Sequence, residues 1–215
     1  MAKGPALLWS VEFVLGCPMF SNTLSRSRFM EIIRFLQFDI KSERRRQQVE
    51  DKFCLASCLW NCFIENSQNS YVPNVYLTVG EQLLPCKARC KFIQYMANKP
   101  DKFGLKFWMM VDADSKYLYN GFPYLGKDDT RDTSVSVPTN VVMELMRPLF
   151  KHGYNVTCDN FFTFLDLAVR LAKEKCSLVG SIRQNRRELP RLLRQSNSCV
   201  KLHFSKLPPR RRASL

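Results

Sequence analysis

At residue 75 the spacing of apolar side chains changes from helical to alternating, and that change constrains the fold more than any other feature. VYLTVGEQLL (75–84) is β-branched and alternating, the pattern of a strand buried on one face. KFGLKFWMMVD (102–112) and KYLYNGFPYLG (116–126) read as two further strands, with ADS (113–115) as a tight hairpin turn. KDDTRDTSV (127–135) is a polar loop, and VPTNVVMELMRPLF (137–150) a helix with Thr139 or Asn140 as its cap. NVTCD (155–159) reads as a fourth strand, FFTFLDLAVRLAKEK (161–175) as a helix and SLVGSIR (177–183) as a fifth strand. The order β-β-β-α-β-α-β predicts an α/β fold: a mixed five-stranded sheet with flanking helices packed on it.

Upstream, TLSRSRFMEIIRFLQF (23–38) carries Phe29, Ile32, Ile33 and Leu36 at helical spacing, with Ser25 or Ser27 placed to cap it. KSERRRQQVEDK (41–52) reads as a charged loop or exposed turn, and FCLASCLWNCFIEN (53–66) as a second amphipathic helix. The expected organisation is an N-terminal helical appendage over 1–74, a core over 75–195 and a basic, irregular tail over 196–215.

The formal charge of +14 favours polyanionic partners, nucleic acid first. Its candidate contacts are Arg44, Arg45 and Arg46, then Lys87 and Arg89, then Arg183, Arg186 and Arg187. Sequence does not show whether these share a face, and separately solvated patches are the alternative. Arg210, Arg211 and Arg212 resemble a short nuclear-import signal. Nine cysteines, an odd number, follow no convincing secretory signal, because Glu12 interrupts the apolar opening. Reduced thiols and a nuclear compartment are expected, with the cytoplasm as the alternative. No apolar run reaches membrane-spanning length.

Cys54, Cys58 and Cys62, if helical, spread over ~12 Å, too far for one zinc. They read as thiols on an apolar face. His152 and His203 stand isolated, and neither a Cys–His nor a Ser–His pair is evident. Asp159 is the residue with two readings. A carboxylate where a strand ends and a helix begins is a common metal or catalytic position in α/β folds. It is also an ordinary cap for the first helical turn.

A set of motifs resolves that choice by resemblance. SRSRFMEIIRFLQF, YLTVGEQLLPCKARC, ANKPDKFGLKFWMMVD, YNGFPYLGK, NVTCDNFFTFLDLA and LVGSIRQNRRELP, in this order, resemble the piggyBac-type transposases over about residues 7–195. The resemblance implies an RNase H-like core in which three aspartates hold two divalent metals for phosphodiester chemistry. Asp159 matches the second aspartate. At the first, where the family pattern reads L-T-x-D-E-Q-L, this chain has Leu77-Thr78-Val79-Gly80-Glu81-Gln82-Leu83. The third, further downstream in family members, has no counterpart in these 215 residues, and neither has the family's cysteine-rich zinc domain. Glu81 is expected on the opposite face of the strand from Gly80, and Asp112 matches a position the family does not use for metal. The resemblance therefore implies a partial RNase H-like core, an incomplete ancestral Mg²⁺ site, no metal or other cofactor, and no enzymatic activity. DNA is the expected partner, bound without sequence preference through the basic patches. The alternative is an active metal-dependent transposase or nuclease using substitute ligands.

Overall fold

The computed structural model describes Trp9 and residues 18–86, 90–126 and 135–182, together with the backbone of 200–204. The chain divides into two compact units, Met1–Leu59 and Trp60–Leu215.

In the first unit the helical period of the sequence is realised as α1 (Pro18–Thr23) and α2 (Arg26–Phe35). Ser25 caps α2: its hydroxyl accepts from the Arg28 N–H at 3.3 Å. Trp9 anchors this corner, with its ring 4.7 Å from Phe29 and its indole N–H on the Leu24 carbonyl at 2.7 Å. The expected charged loop contains a helix, α3 (Arg44–Glu50). It buries no residue, so no apolar stripe marks it. Cys54 is buried, and it lies in the turn that precedes α4 (Ser57–Ser70) rather than in the helix. Cys58 and Cys62 are exposed on α4.

The second unit is built on a seven-stranded sheet: β1 (Tyr76–Pro85), β2 (Gln94–Tyr95), β3 (Phe103–Asp112), β4 (Leu118–Pro123), β5 (Asn155–Cys158), β6 (Ser177–Ile182) and β7 (Val200–Phe204). The order is β2-β3-β1-β5-β6-β7, with β4 sharing the outer edge of β3 with β2. β3 and β4 form the expected hairpin around 113–115, which Lys116 closes with a left-handed φ of 63°. β1, β5 and β6 are parallel neighbours, and the rest pairs antiparallel. The mixed sheet is as expected, but it holds two more strands than five. β2 is only two residues long, too short to show an alternation, and β7 (VKLHF) does alternate but lies in the stretch read as irregular tail.

Helices α5 (Val137–Met146) and α6 (Leu165–Lys173) cover one sheet face. Val142, Leu145 and Met146 of α5 and Leu167 and Leu171 of α6 meet Leu77, Val79, Met110, Val156 and Leu178 in one buried cluster. Burying side chains of this size contributes about 1.5–3 kcal/mol each and is what holds the unit together. α5 is capped by Ser136, not by Thr139 or Asn140; the Ser136 hydroxyl accepts from the Thr139 N–H at 3.3 Å. From the other face, the α4 residue Trp60 packs its ring 4.6 Å from that of Phe107, tilted by 43°, and donates its indole N–H to the Gly121 carbonyl at 3.0 Å. Ser67 of the same helix donates to the Leu118 carbonyl at 2.5 Å.

Candidate functional site

β1 and β5 pair in parallel from Tyr76↔Asn155 to Val79↔Cys158. One residue further on, Gly80, in the middle of β1, corresponds to Asp159, which immediately follows the carboxyl end of β5. Alternation puts Leu77, Val79 and Leu83 into the core, so Gly80 faces the other side together with Thr78 and Gln82. Thr157 and Asp159 are likewise exposed, whereas Val156 and Cys158 are buried. The fold thus brings together, beside the carboxyl end of β5, where α/β sheets often hold their ligands, the two positions singled out in the sequence. One has a carboxylate and the other has no side chain.

Asp159 is occupied locally. Its Oδ1 accepts from the Phe161 N–H at 2.9 Å and the Phe162 N–H at 3.3 Å. Its carbonyl accepts from the Thr163 N–H at 3.1 Å and the Thr163 hydroxyl at 2.6 Å. These bonds close a turn over 159–163. The expected helix from 161 begins only at Leu165, after Phe164, which provides no side-chain cap. Asp159 therefore caps the turn and not the helix. Phe161 and Phe162 fit a helical period in sequence, but the turn uses them to cover Trp108, at 5.9 and 5.4 Å between ring centroids.

Among the described residues, the two carboxylates nearest in sequence pattern, Glu81 and Asp112, are both engaged elsewhere. Glu81 points to the opposite face, where its carboxylate pairs with the Lys106 ammonium at 2.6 Å. That ammonium also lies 3.9 Å from the centre of the Trp108 ring, so both groups are committed to a partly buried cation–π cluster. Asp112 is fully buried. It accepts from Asn74 N–H (2.7 Å), Asp114 N–H (2.8 Å), Ser115 N–H (3.0 Å) and the Tyr71 hydroxyl (2.9 Å). Burial alone would push this carboxyl up, but the four donors together hold it below its ordinary value. Burial pushes the Cys158 thiol far up, with the charge of Asp159 adding to it, so this cysteine is no nucleophile. A divalent pair needs carboxylates converging on both ions. Asp159 alone does not fit that requirement, and among the described residues no group of three or more His, Cys, Asp or Glu could hold a metal ion.

Of the basic candidates, Arg44 is tied to Asp39 through two bonds, at 2.5 and 3.0 Å, and its hydrogen bond draws the Asp39 carboxyl below the usual range. Arg46 approaches Glu43 at 3.7 Å, and Arg45 is exposed. Lys87, Arg89, Arg183, Arg186 and Arg187 lie outside the described residues. Sequence reading missed the donors around Asp112 and the Lys106–Trp108–Phe161 cluster. The only signal for either was a charged residue inside an otherwise apolar strand.

Comparison with known proteins agrees with the fold. The family model described as Transposase IS4 matches residues 3–208. The human PiggyBac transposable element-derived protein 3 is 24% identical over 184 residues, covering 83% of this chain and 30% of that protein. The human Chimeric ERCC6-PGBD3 protein is 24% identical over the same length, with 83% and 17% covered. A cryo-EM structure of a piggyBac transposase synaptic complex with hairpin DNA superposes with a TM-score of 0.75 at 40% identity, covering 83% of this chain and 38% of that one. The chain thus spans well under half the length of each of these relatives.

Proposed function

The chain belongs to the Transposase IS4 family, in its piggyBac-type branch, and from that premise we propose that it is a catalytically inactive, transposable element-derived protein that binds DNA without sequence preference. The observation that carries the first half is Gly80. It stands at the strand position beside Asp159 where the family pattern has a carboxylate, and Glu81 and Asp112 are both committed elsewhere. A single carboxylate leaves Mg²⁺ almost fully hydrated, and Mg²⁺ gives up its water reluctantly. Asp159 has in this reading a structural task, closing the 159–163 turn.

The test compares the natural chain with Asp159→Asn and Gly80→Asp for Mn²⁺-stimulated cleavage of a duplex that carries a flanked transposon end. No cleavage is expected from any of the three. A Cβ added at Gly80 meets nothing within 4 Å, so the new aspartate should fold without a steric cost. It would still add a second carboxylate near Asp159, with no third among the described residues to complete the site. Cleavage by the natural chain that disappears in Asp159→Asn would overturn the inactive reading and favour the active enzyme.

The second half rests on the charge of +14 and on the likeness to a transposase solved with DNA. Phosphate neutralisation releases counterions, so affinity for any duplex should fall steeply between low and moderate salt, by orders of magnitude if several phosphates are contacted. Titrating two labelled duplexes of unrelated sequence at two salt concentrations checks this. An affinity insensitive to salt, or a strong preference for one sequence, would contradict it. DNA binding would in turn place the protein in the nucleus. No helix among the described residues is long and apolar enough to cross a membrane.

A further inference from the structure

The hairpin joining β2 to β3 has an unusual surface. Tyr95 and Phe103 face each other across the two strands, their ring centroids 4.9 Å apart and their planes inclined by 51°. Such cross-strand aromatic pairs ordinarily steady a hairpin by covering each other. Here they remain open, Tyr95 58% and Phe103 60% exposed, with Leu84 beside them at 52%. The register Leu84↔Leu105 puts Leu84 on the same sheet face as Phe103, which is the face that Gly80 shares.

The charge around the rings has one sign in excess. The turn between them is tight: Lys99 N–H donates to the Met96 carbonyl at 3.1 Å, and Met96 N–H donates to the Lys102 carbonyl at 2.8 Å. Lys99 lies within that turn, Lys102 immediately precedes Phe103, and Asp101 is the one acid of the turn. Among the described residues neither lysine is engaged in an ion pair, in contrast to Lys106 further along the same strand, which Glu81 neutralises. Exposed aromatic faces beside uncommitted cations are the chemistry by which proteins hold unpaired nucleobases: each ring stacks a base, and the ammonium groups track the phosphates.

We propose that Tyr95 and Phe103 form a stacking platform for single-stranded DNA, with Lys99 and Lys102 contacting its backbone. This rests on the DNA-binding reading and adds to it a preference for unpaired bases at a defined place. The platform lies on the Gly80 face, with Phe103 six residues, or ~20 Å, along β3 from Met109, the cross-strand partner of Gly80.

The experiment uses the full chain and a short thymine-rich DNA strand carrying one 2-aminopurine, whose fluorescence is quenched on stacking. Quenching on binding is expected for the natural chain and for Tyr95→Phe, which keeps both rings. The double variant Tyr95→Leu/Phe103→Leu keeps apolar bulk in the hairpin and should melt close to the natural chain. It should lose the quenching and bind the strand at least roughly 30-fold more weakly, the lower bound for removing two base–aromatic stacks. Its salt-dependent binding to duplex should be almost unchanged. Unaltered affinity and quenching in the double variant would overturn the platform, as would tighter binding of an RNA strand of the same sequence. If the natural chain binds duplex in a salt-dependent manner but never quenches the probe, only the platform fails. If it binds neither strand nor duplex, the DNA reading fails with it.

Discussion

Asp112→Ala is expected to lower the stability of the second unit by on the order of 3–5 kcal/mol, a large part of what a domain has. The carboxylate is fully buried and accepts from four donors that come from different parts of the chain. Tyr71 and Asn74 lead out of α4, whereas Asp114 and Ser115 belong to the β3–β4 turn. Alanine leaves these donors facing a cavity, and a buried donor without an acceptor costs about 1–3 kcal/mol. The same geometry sets a pH dependence. The folded carboxyl sits below its ordinary value of 3.8, so its stabilisation is complete above that value. It is lost as acid carries the pH down through the lower, folded value. Urea midpoints measured from neutral pH down to about pH 3 should show the natural chain falling toward Asp112→Ala at the acid end. Curves that run parallel over that range would mean that Asp112 does not carry this charge in the fold.

The same carboxylate shows where sequence reading stops. Asp112 was recognisable as a charge at a strand end, and the turn after it was recognisable from ADS. Its partners Tyr71 and Asn74, however, are separated from it by 41 and 38 residues. No local pattern announces a bond that only folding creates. What alternates or repeats within a few residues was legible: β1, β3, β4, β5, β6, the core helices and the mixed sheet. Helix α3 was not, because RRRQQVE has no apolar face to read. Strand β7 was not either, because a five-residue strand after a basic stretch is defined mainly by its pairing with β6. At the candidate site, Asp159 was visible from its place between a strand and a helical pattern, whereas Gly80 stood out only through the family pattern. Alternation then put Glu81 on the far face, and the Lys106 pair gives the physical reason it stays there.

Gly180→Ala is the second substitution with a large expected effect, about 2–4 kcal/mol, and it links the sheet to Asp159. Gly180 pairs with Cys158 across β5 and β6, directly beneath the 159–163 turn. A Cβ built there runs into the Thr163 hydroxyl oxygen, well inside any normal approach, and comes to 2.9 Å from the Cys158 carbonyl oxygen. The hydroxyl cannot simply swing away, because Thr163 is fully buried and donates to the Asp159 carbonyl at 2.6 Å. The added methyl must therefore break that bond, push β5 from β6, or both. Removing the obstacle separates the two causes. Thr163→Ala alone loses one hydrogen bond, about 0.5–1.5 kcal/mol. In the double variant the alanine at 180 no longer meets the hydroxyl, so its cost should drop by at least 1 kcal/mol relative to the sum of the singles, a coupling typical of residues in contact. Denaturant melts of the four proteins close that cycle. Additive costs would place the strain at the Cys158 carbonyl, in the ladder itself, and would leave the turn that holds Asp159 intact in the Gly180 variant.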